Sequence, residues 1–427
     1  MVEHGCTRRA HASPSARASR GPRRLGVLAA GPGARAEENL ATCEDPLVDP
    51  SDAYGSLVAE VHELLPDGAV VVDAHTHLGR DEDGQALDPA GLIASLDEVG
   101  PSARACTFPL HDPDRVPAYR APNDRVLRWA AESDGRLYPY CRLDPAEDPV
   151  AEAERCLALG ARGIKLHPRA QAFGFGGGAA EAIWRVAEAA KVPILIHAGR
   201  GMPRMDPLAD LALRFPDVVL VLAHAAIADQ GMFASRLGDH PNVFYDTSTF
   251  SVFDQLELFA RVPAERIVFA SDVPYGRPLG ALHTALRMGT YAGLDDHDRT
   301  LLVGGTMTDI LEGRPLTAPT PPRVPQIRRI SGRLARVNGY IMMSFAAAIG
   351  SGPPPDFTRA VPFIALARAA CRDPDPGLVG PTLERVDGLL ASAEKLIAAG
   401  NDRARAAVGL VMAAGVIAAT EPLPGPS

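Results

Sequence analysis

At 427 residues the chain is longer than one ordinary domain requires, so two folded units with tails is the starting expectation. Its 46% apolar and 22% charged residues fit a globular protein in water, and a formal charge of −9 argues against nucleic acid as a partner. Six cysteines, at 6, 43, 106, 141, 156 and 371, form no C-x-x-C pair, which sets aside a zinc ribbon, a redox motif or a disulfide framework and fits a reducing cytoplasm.

Residues 1–36 hold seven arginines and one acid among many Ala, Ser, Gly and Pro. Arg23-Arg24 followed by a short apolar run faintly suggests an export signal, but Gly31-Pro32-Gly33 breaks the run, so residues 1–45 are expected to be a disordered tail. From Ala69 the pattern changes to short apolar, β-branched runs alternating with Ala-, Leu- and Glu-rich stretches, the mark of repeated βα units. Eight strands are expected: Val70–His77, Arg104–Pro109, Leu137–Leu143, Arg162–His167, Pro193–His197, Val218–His224, Asn242–Thr247 and Arg266–Asp272. Helices fall between them, for example Pro149–Leu159, Gly178–Ala190 and Pro207–Phe215.

Eight such units fill roughly 245 residues, the usual size of a (β/α)₈ barrel. A doubly wound sheet would gather reactive residues at one switch point, whereas here they end strands one, four, five, six and eight. The α/β fold expected is therefore a TIM-type barrel over residues 46–313. A Pro-rich linker (314–325) and a small all-α segment (326–427) follow, with helices near 326–348, 360–371, 381–399 and 402–419. Arg323, Arg328, Arg329, Arg333 and Arg336 read as a solvated face with no acids opposite. The apolar run Ala406–Ala419 is 14 residues long with two glycines, against the roughly 20 a membrane span needs.

The first strand carries the strongest chemical signal. In Asp73-Ala74-His75-Thr76-His77, alternation places Asp73, His75 and His77 on one face, and two imidazoles about 6–7 Å apart at a barrel rim can converge on one cation. His197 ends strand five, His224 ends strand six, and Asp272 ends strand eight, where a carboxylate balances a metal's charge and can accept a proton from water. On strand four Lys165 and His167 share the inward face. Lys165 is open to three readings: a carboxylated bridge between two metals, a group binding a substrate carboxylate, or a buried ion pair. Arg200, Arg204 and Arg277 lie on loops after strands five and eight and suit an anionic substrate group.

Together with Gly163–Pro168, Ile194–Gly199, Leu222–His224 and Ser271–Gly276, this motif resembles the amidohydrolase-related (amidohydrolase-2) family of metal-dependent hydrolases and decarboxylases. The resemblance covers roughly residues 69–313. It implies His75, His77, His197 and Asp272 as metal ligands and His224 as the acid/base or polarising group. Gly304-Gly305-Thr306-Met307 stands where the family often has a Gly-Asn-Ala-type helix start. The expected cofactor is one divalent metal, zinc first, with Mn, Fe, Co or a second metal admitted. The expected activity is hydrolysis of a small amide, lactone or ester, carboxylated or not, through a metal-activated water. Non-oxidative decarboxylation or hydration on the same barrel is the alternative, and a non-catalytic binding or assembly barrel the third. Expected partners are a small-molecule substrate and a second copy of the chain, with neither nucleic acid nor membrane.

Overall fold

The computed structural model describes residues 50–421 and 423, apart from 83, 200, 239, 250, 324–330, 351–354 and 373–376. The chain divides into two compact units, Met1–Leu47 and Val48–Ser427. The first, with the expected disordered tail, lies outside the described residues.

The second unit opens on a helix the sequence reading did not mark, α1 (Pro50–Leu64). Then come β1 (Val72–Arg80), β2 (Ala86–Leu87), α2 (Pro89–Asp97), β3 (Arg104–Pro109), α3 (Arg120–Ala131), β4 (Leu137–Arg142), α4 (Pro149–Ala158) and β5 (Gly163–Leu166). The alternation continues through α5 (Gly178–Ala190), β6 (Ile194–Ile196), α6 (Asp206–Arg214), β7 (Leu220–Leu222), α7 (Gln230–Leu237), β8 (Val243–Asp246), α8 (Val252–Arg261), β9 (Ile267–Val268) and α9 (Pro278–Tyr291). The helices form for local reasons. In α8, Val252, Gln255, Leu258 and Phe259 bury one stripe, and the Ser251 side chain accepts from Asp254 N at its start.

The sheet has the order β2-β1-β3-β4-β5-β6-β7-β8-β9, parallel throughout except for the β1–β2 hairpin, which was not foreseen. It curls until its ends meet: Ala74 N donates to Phe269 O, Asp272 N to His75 O and His77 N to Val273 O, each at 2.9 Å. Val72, Ala74, Cys106, Phe108, Tyr140, Leu195, Val221, Phe244 and Val268 fill the interior, and a second apolar layer lies between the sheet and its helices. This is the curled parallel sheet with flanking helices of a TIM-type barrel.

Two expectations need correction. The pairing of β1 with β3 shifts register between Asp73 and Thr76, so simple alternation does not run through the motif. Strands five, six and eight end before the residues that were to close them. His197, His224 and Asp272 instead occupy the turns just beyond, where backbone geometry can re-aim a side chain.

α10 (Asp296–Thr300) and α11 (Thr306–Glu312) complete the barrel region, and Gly304 lies so close to β1 that a Cβ there would overlap Val70 O. After the linker come α12 (Gly332–Ile349), α13 (Val361–Cys371), α14 (Gly380–Ala398) and α15 (Asn401–Thr420), which with Leu57 of α1 share an apolar core. Gly280 of α9 meets Gly409 of α15 at backbone distance. A charged cluster ties the same elements: Glu60 accepts from His283 at 2.8 Å and pairs with Arg287 and Arg385. Arg323 is not unopposed: it pairs with Asp298 at 2.7 Å and Asp295 at 3.3 Å. Arg328 and Arg329 lie outside the described residues. Among those described, no helix is long and apolar enough to cross a membrane.

Candidate metal centre

At the C-terminal mouth of the sheet, β1 and the turn after β9 bring three expected ligands together. His75 Nε2 lies 3.2 Å from His77 Nε2, and Asp272 Oδ1 lies 3.1 Å from His77 Nε2 and 3.2 Å from His75 Nε2. All three residues are buried. The placement of Asp272 is built locally: its φ is +57°, a left-handed conformation unusual for a residue with a side chain, and Tyr275 N and Gly276 N both donate to its carbonyl. A Cβ on Gly276 would overlap Ser271 O, so this turn requires glycine. Asp73 does not join the cluster. Its Oδ1 accepts from His75 N and Ser271 N, fastening the two ligand-bearing segments to each other.

The proton positions follow from acceptor-only partners. Asp246 Oδ2 lies 2.8 Å from His75 Nδ1, so that nitrogen carries the proton and Nε2 presents a lone pair to the cluster. Three electron-rich atoms held in mutual contact are a donor set suited to a divalent cation. Burial holds His75 and His77 well below their usual pKa, in the neutral form that ligates metals, and raises the Asp272 carboxyl.

His197 lies beside this triad rather than in it. Its ring stacks on His167 at 3.9 Å, and its Nδ1 is 2.8 Å from His224 Nε2. His224, at φ +56°, has Nδ1 2.8 Å from Ser248 O and its backbone N donating to Asp246 Oδ1. The carbonyl of Ser248 fixes the proton on His224 Nδ1, so His224 Nε2 accepts from His197 Nδ1. That leaves the lone pair of His197 on Nε2, a buried atom with no hydrogen-bond partner among the described residues. Gly199 makes room here, since a Cβ would sit 2.9 Å from His197 Nε2.

Lys165 is fully buried, with Nζ 3.2 Å from His75 Nε2 and 4.5 Å from the Phe108 ring centre. Burial pushes its ammonium down to about 7, against the raising effect of Asp272 and Asp246, while Arg142 lowers it further. His167 accepts from Ala170 N at Nδ1 and touches the site through the His197 stack. Arg204 points into solvent, 86% exposed, and Arg277 pairs with Glu98 and covers the Tyr54 ring, so neither loop arginine joins the cluster. Arg200 lies outside the described residues.

Sequence reasoning passed over Asp246, Ser248 and Arg142. Asp246 and Arg142 carried the signal used elsewhere, a polar residue closing an apolar strand, in Val243–Asp246 and Leu137–Arg142.

The fold and site define a class: a curled parallel sheet whose strand ends gather histidines and a carboxylate at one mouth. The family model described as amidohydrolase matches residues 72–306, more than half of the chain, and the chain belongs to that family. Solved structures resemble it too, three of which follow. One is a probable 2-pyrone-4,6-dicarboxylic acid hydrolase from Acinetobacter baumannii with citric acid bound, at 14% identity and TM-score 0.44, matching 57% of this chain and 99% of that one. The second is 2,6-dihydroxybenzoate decarboxylase from Rhizobium, at 16% identity and TM-score 0.44, over 57% and 98%. The third is 4-oxalomesaconate hydratase from Rhodopseudomonas palustris, at 16% and 0.44, over 57% and 95%. No curated protein matches the chain.

Proposed function

We propose that the protein is a metal-dependent hydrolase of a small amide, lactone or ester. The observation carrying this reading is the contact of His75 Nε2, His77 Nε2 and Asp272 Oδ1, with the His75 tautomer set by Asp246. These three would hold one divalent cation, zinc first, and the unpartnered Nε2 of His197 makes it the fourth ligand of the proposal. When bound, the cation supplies a Lewis acid that polarises a carbonyl and lowers the pKa of water toward about 7.

The remaining work belongs to the chain. Asp272 has a second carboxylate oxygen to take the proton of the attacking water and return it to the leaving group. His224, anchored at Nδ1 by Ser248 O, accepts from His197 Nδ1 at Nε2 and so orients His197 for ligation; it would exchange a proton with, or polarise, a substrate only by giving up that bond. Lys165, beside His75 and acted on by Asp272 and Asp246, balances the buried carboxylates.

The test is elemental analysis of purified protein with His75→Ala and Asp272→Asn variants, followed by lactones, amides, esters and aromatic acids as substrates. The expected result is about one equivalent of metal, lost in the variants, and an acid plus an alcohol or amine as products. Carbon dioxide as product would move the chemistry to decarboxylation. Two equivalents would bring in Lys165 as a carboxylated bridge, and no metal after metal-replete expression would sink the enzymatic reading.

A further inference from the structure

Arg142 ends β4, and its Cα is the register partner of Lys165 on β5. The two cationic residues therefore leave neighbouring strands at the same level of the mouth. Two carboxylates, Asp272 and Asp246, act on Lys165 through space, whereas for Arg142 the carboxylate so placed is Asp81. Arg142 is 1% exposed, yet its hydrogen-bond partners are all neutral: NH1 donates to Pro109 O at 3.1 Å, Nε to Gln171 Oε1 at 3.4 Å and NH2 to His111 Nδ1 at 3.4 Å. The Tyr119 ring lies 5.0 Å away. Among the described residues no carboxylate forms an ion pair with Arg142. Asp81 acts on it only through space, and Asp81 Oδ2 already accepts from Tyr275 OH and His111 N.

A buried charge without a counter-ion is costly unless a ligand supplies one. Two of the three bonds are at the long limit for hydrogen bonding, so exchanging them for a charged oxygen loses little. His111 adds a second donor. Its Nδ1 accepts from Tyr119 OH at 2.6 Å and from Arg142, so the neutral ring carries its proton on Nε2. The place is right as well, because Arg142 stands in register with Lys165, whose Nζ lies 3.2 Å from His75 Nε2.

We propose that Arg142, with His111 beside it, is the subsite for a substrate carboxylate, seated on the β4 side of the mouth while the bond to be cleaved lies at the His75–His77–Asp272 cluster. Only the second clause rests on the hydrolase reading. One guanidinium whose hydrogen-bond partners are all neutral matches a monoanion, and its planar fork matches a carboxylate; a phosphate dianion would require another uncompensated cation.

The experiment is isothermal titration of the full chain with benzoate and with benzamide, its uncharged isostere, in metal-loaded and chelator-stripped protein. Benzoate should bind in both states, and Arg142→Gln should weaken it roughly thirtyfold or abolish it. Benzamide should bind weakly throughout. Arg142→Lys, which keeps the charge and loses the fork, should fall between. Equal benzoate affinity in wild type and Arg142→Gln overturns the subsite, as does binding that needs metal and ignores Arg142. Should the Gln variant fail to fold, equal benzoate affinity in Arg142→Lys and wild type, or equal affinity of wild type for benzoate and benzamide, overturns it too. Metal content is read separately. A protein that takes up no metal but binds benzoate through Arg142 loses the hydrolase reading and keeps the subsite.

Discussion

Asp246→Asn is the sharpest perturbation of the centre, because it changes one atom that is not itself an expected ligand but bonds the far nitrogen of one, His75. Four donors converge on this buried carboxylate: His75 Nδ1 at 2.8 Å on Oδ2, and His224 N at 2.8 Å, Ser248 N at 2.9 Å and Ser248 Oγ at 2.6 Å on Oδ1. Alanine would orphan all four, at about 1–3 kcal/mol each, a gross cost of about 4–12 kcal/mol that rivals the stability of a whole domain. Asparagine keeps an acceptor for the three donors on the Oδ1 side and turns its NH₂ toward His75 Nδ1. Two donors then face each other. His75 relieves the clash by moving its proton to Nε2, which withdraws a lone pair from the cluster. Loss of such a supporting partner costs about 10–100-fold in metal affinity, or roughly 1.4–2.7 kcal/mol. Competition against a metallochromic chelator at neutral pH measures the affinity, and side-chain nitrogen NMR reads the His75 tautomer. Affinity within about twofold of wild type, with the proton still on Nδ1, would refute the reasoning.

Other perturbations test the frame around the site. Burial alone would raise the Glu60 carboxyl, but the hydrogen bonds from His283 and Arg385 and the electrostatic pull of His283 and Arg287 outweigh it and hold the group below its usual 4.5. Its contribution to stability is therefore complete above about pH 4.5 and fades as pH falls further. Glu60→Gln should cost about 3 kcal/mol at neutral pH, and the gap to wild type in urea melts should narrow below about pH 4.5; a pH-independent gap would contradict this. Gly280→Val drives a Cβ to within 2.9 Å of Gly409 Cα and should cost about 1–3 kcal/mol in a calorimetric melt, with metal content unchanged below the transition. Arg204→Ala removes a side chain 86% exposed, so stability within about 0.5 kcal/mol of wild type and unaltered turnover are expected; a loss of turnover would return that loop to the site.

The barrel was legible because each strand is a short apolar run ended by a break, and the metal candidates were legible because they follow those runs directly. His75, His77 and Asp272 meet as that logic required, although the register shift within β1 and the left-handed turn at Asp272 do the aiming. Neither feature has a sequence signature beyond Gly276. The helix at Pro50–Leu64 was readable in principle, since Leu57 and Val61 are one helical turn apart and both buried; it was missed because it abuts a tail of unlike composition. The pairing of Lys165 with Arg142 was not readable, because strand register decides it, and register comes from closing the sheet.

Two atoms orient the protons of the candidate site. Asp246 can only accept, so His75 must donate from Nδ1; the carbonyl of Ser248 can only accept, so His224 must do the same, and its Nε2 then dictates the donor on His197. Both fixed acceptors lie on one segment, the end of β8 and the turn that leaves it, and the Ser248 hydroxyl bonds Asp246 Oδ1 at 2.6 Å, locking them to each other. The lone pairs on His75 Nε2 and His197 Nε2 are thus set from the same six-residue stretch, Val243–Ser248, which holds none of the expected ligands. The Ser248 hydroxyl also lies 3.0 Å from His224 Nδ1 and accepts from His224 N at 3.3 Å, so removing it bears on His224 and His197 more than on His75, whereas disturbing Asp246 bears first on His75. The two substitutions therefore divide the site along the line between the triad and the histidine relay.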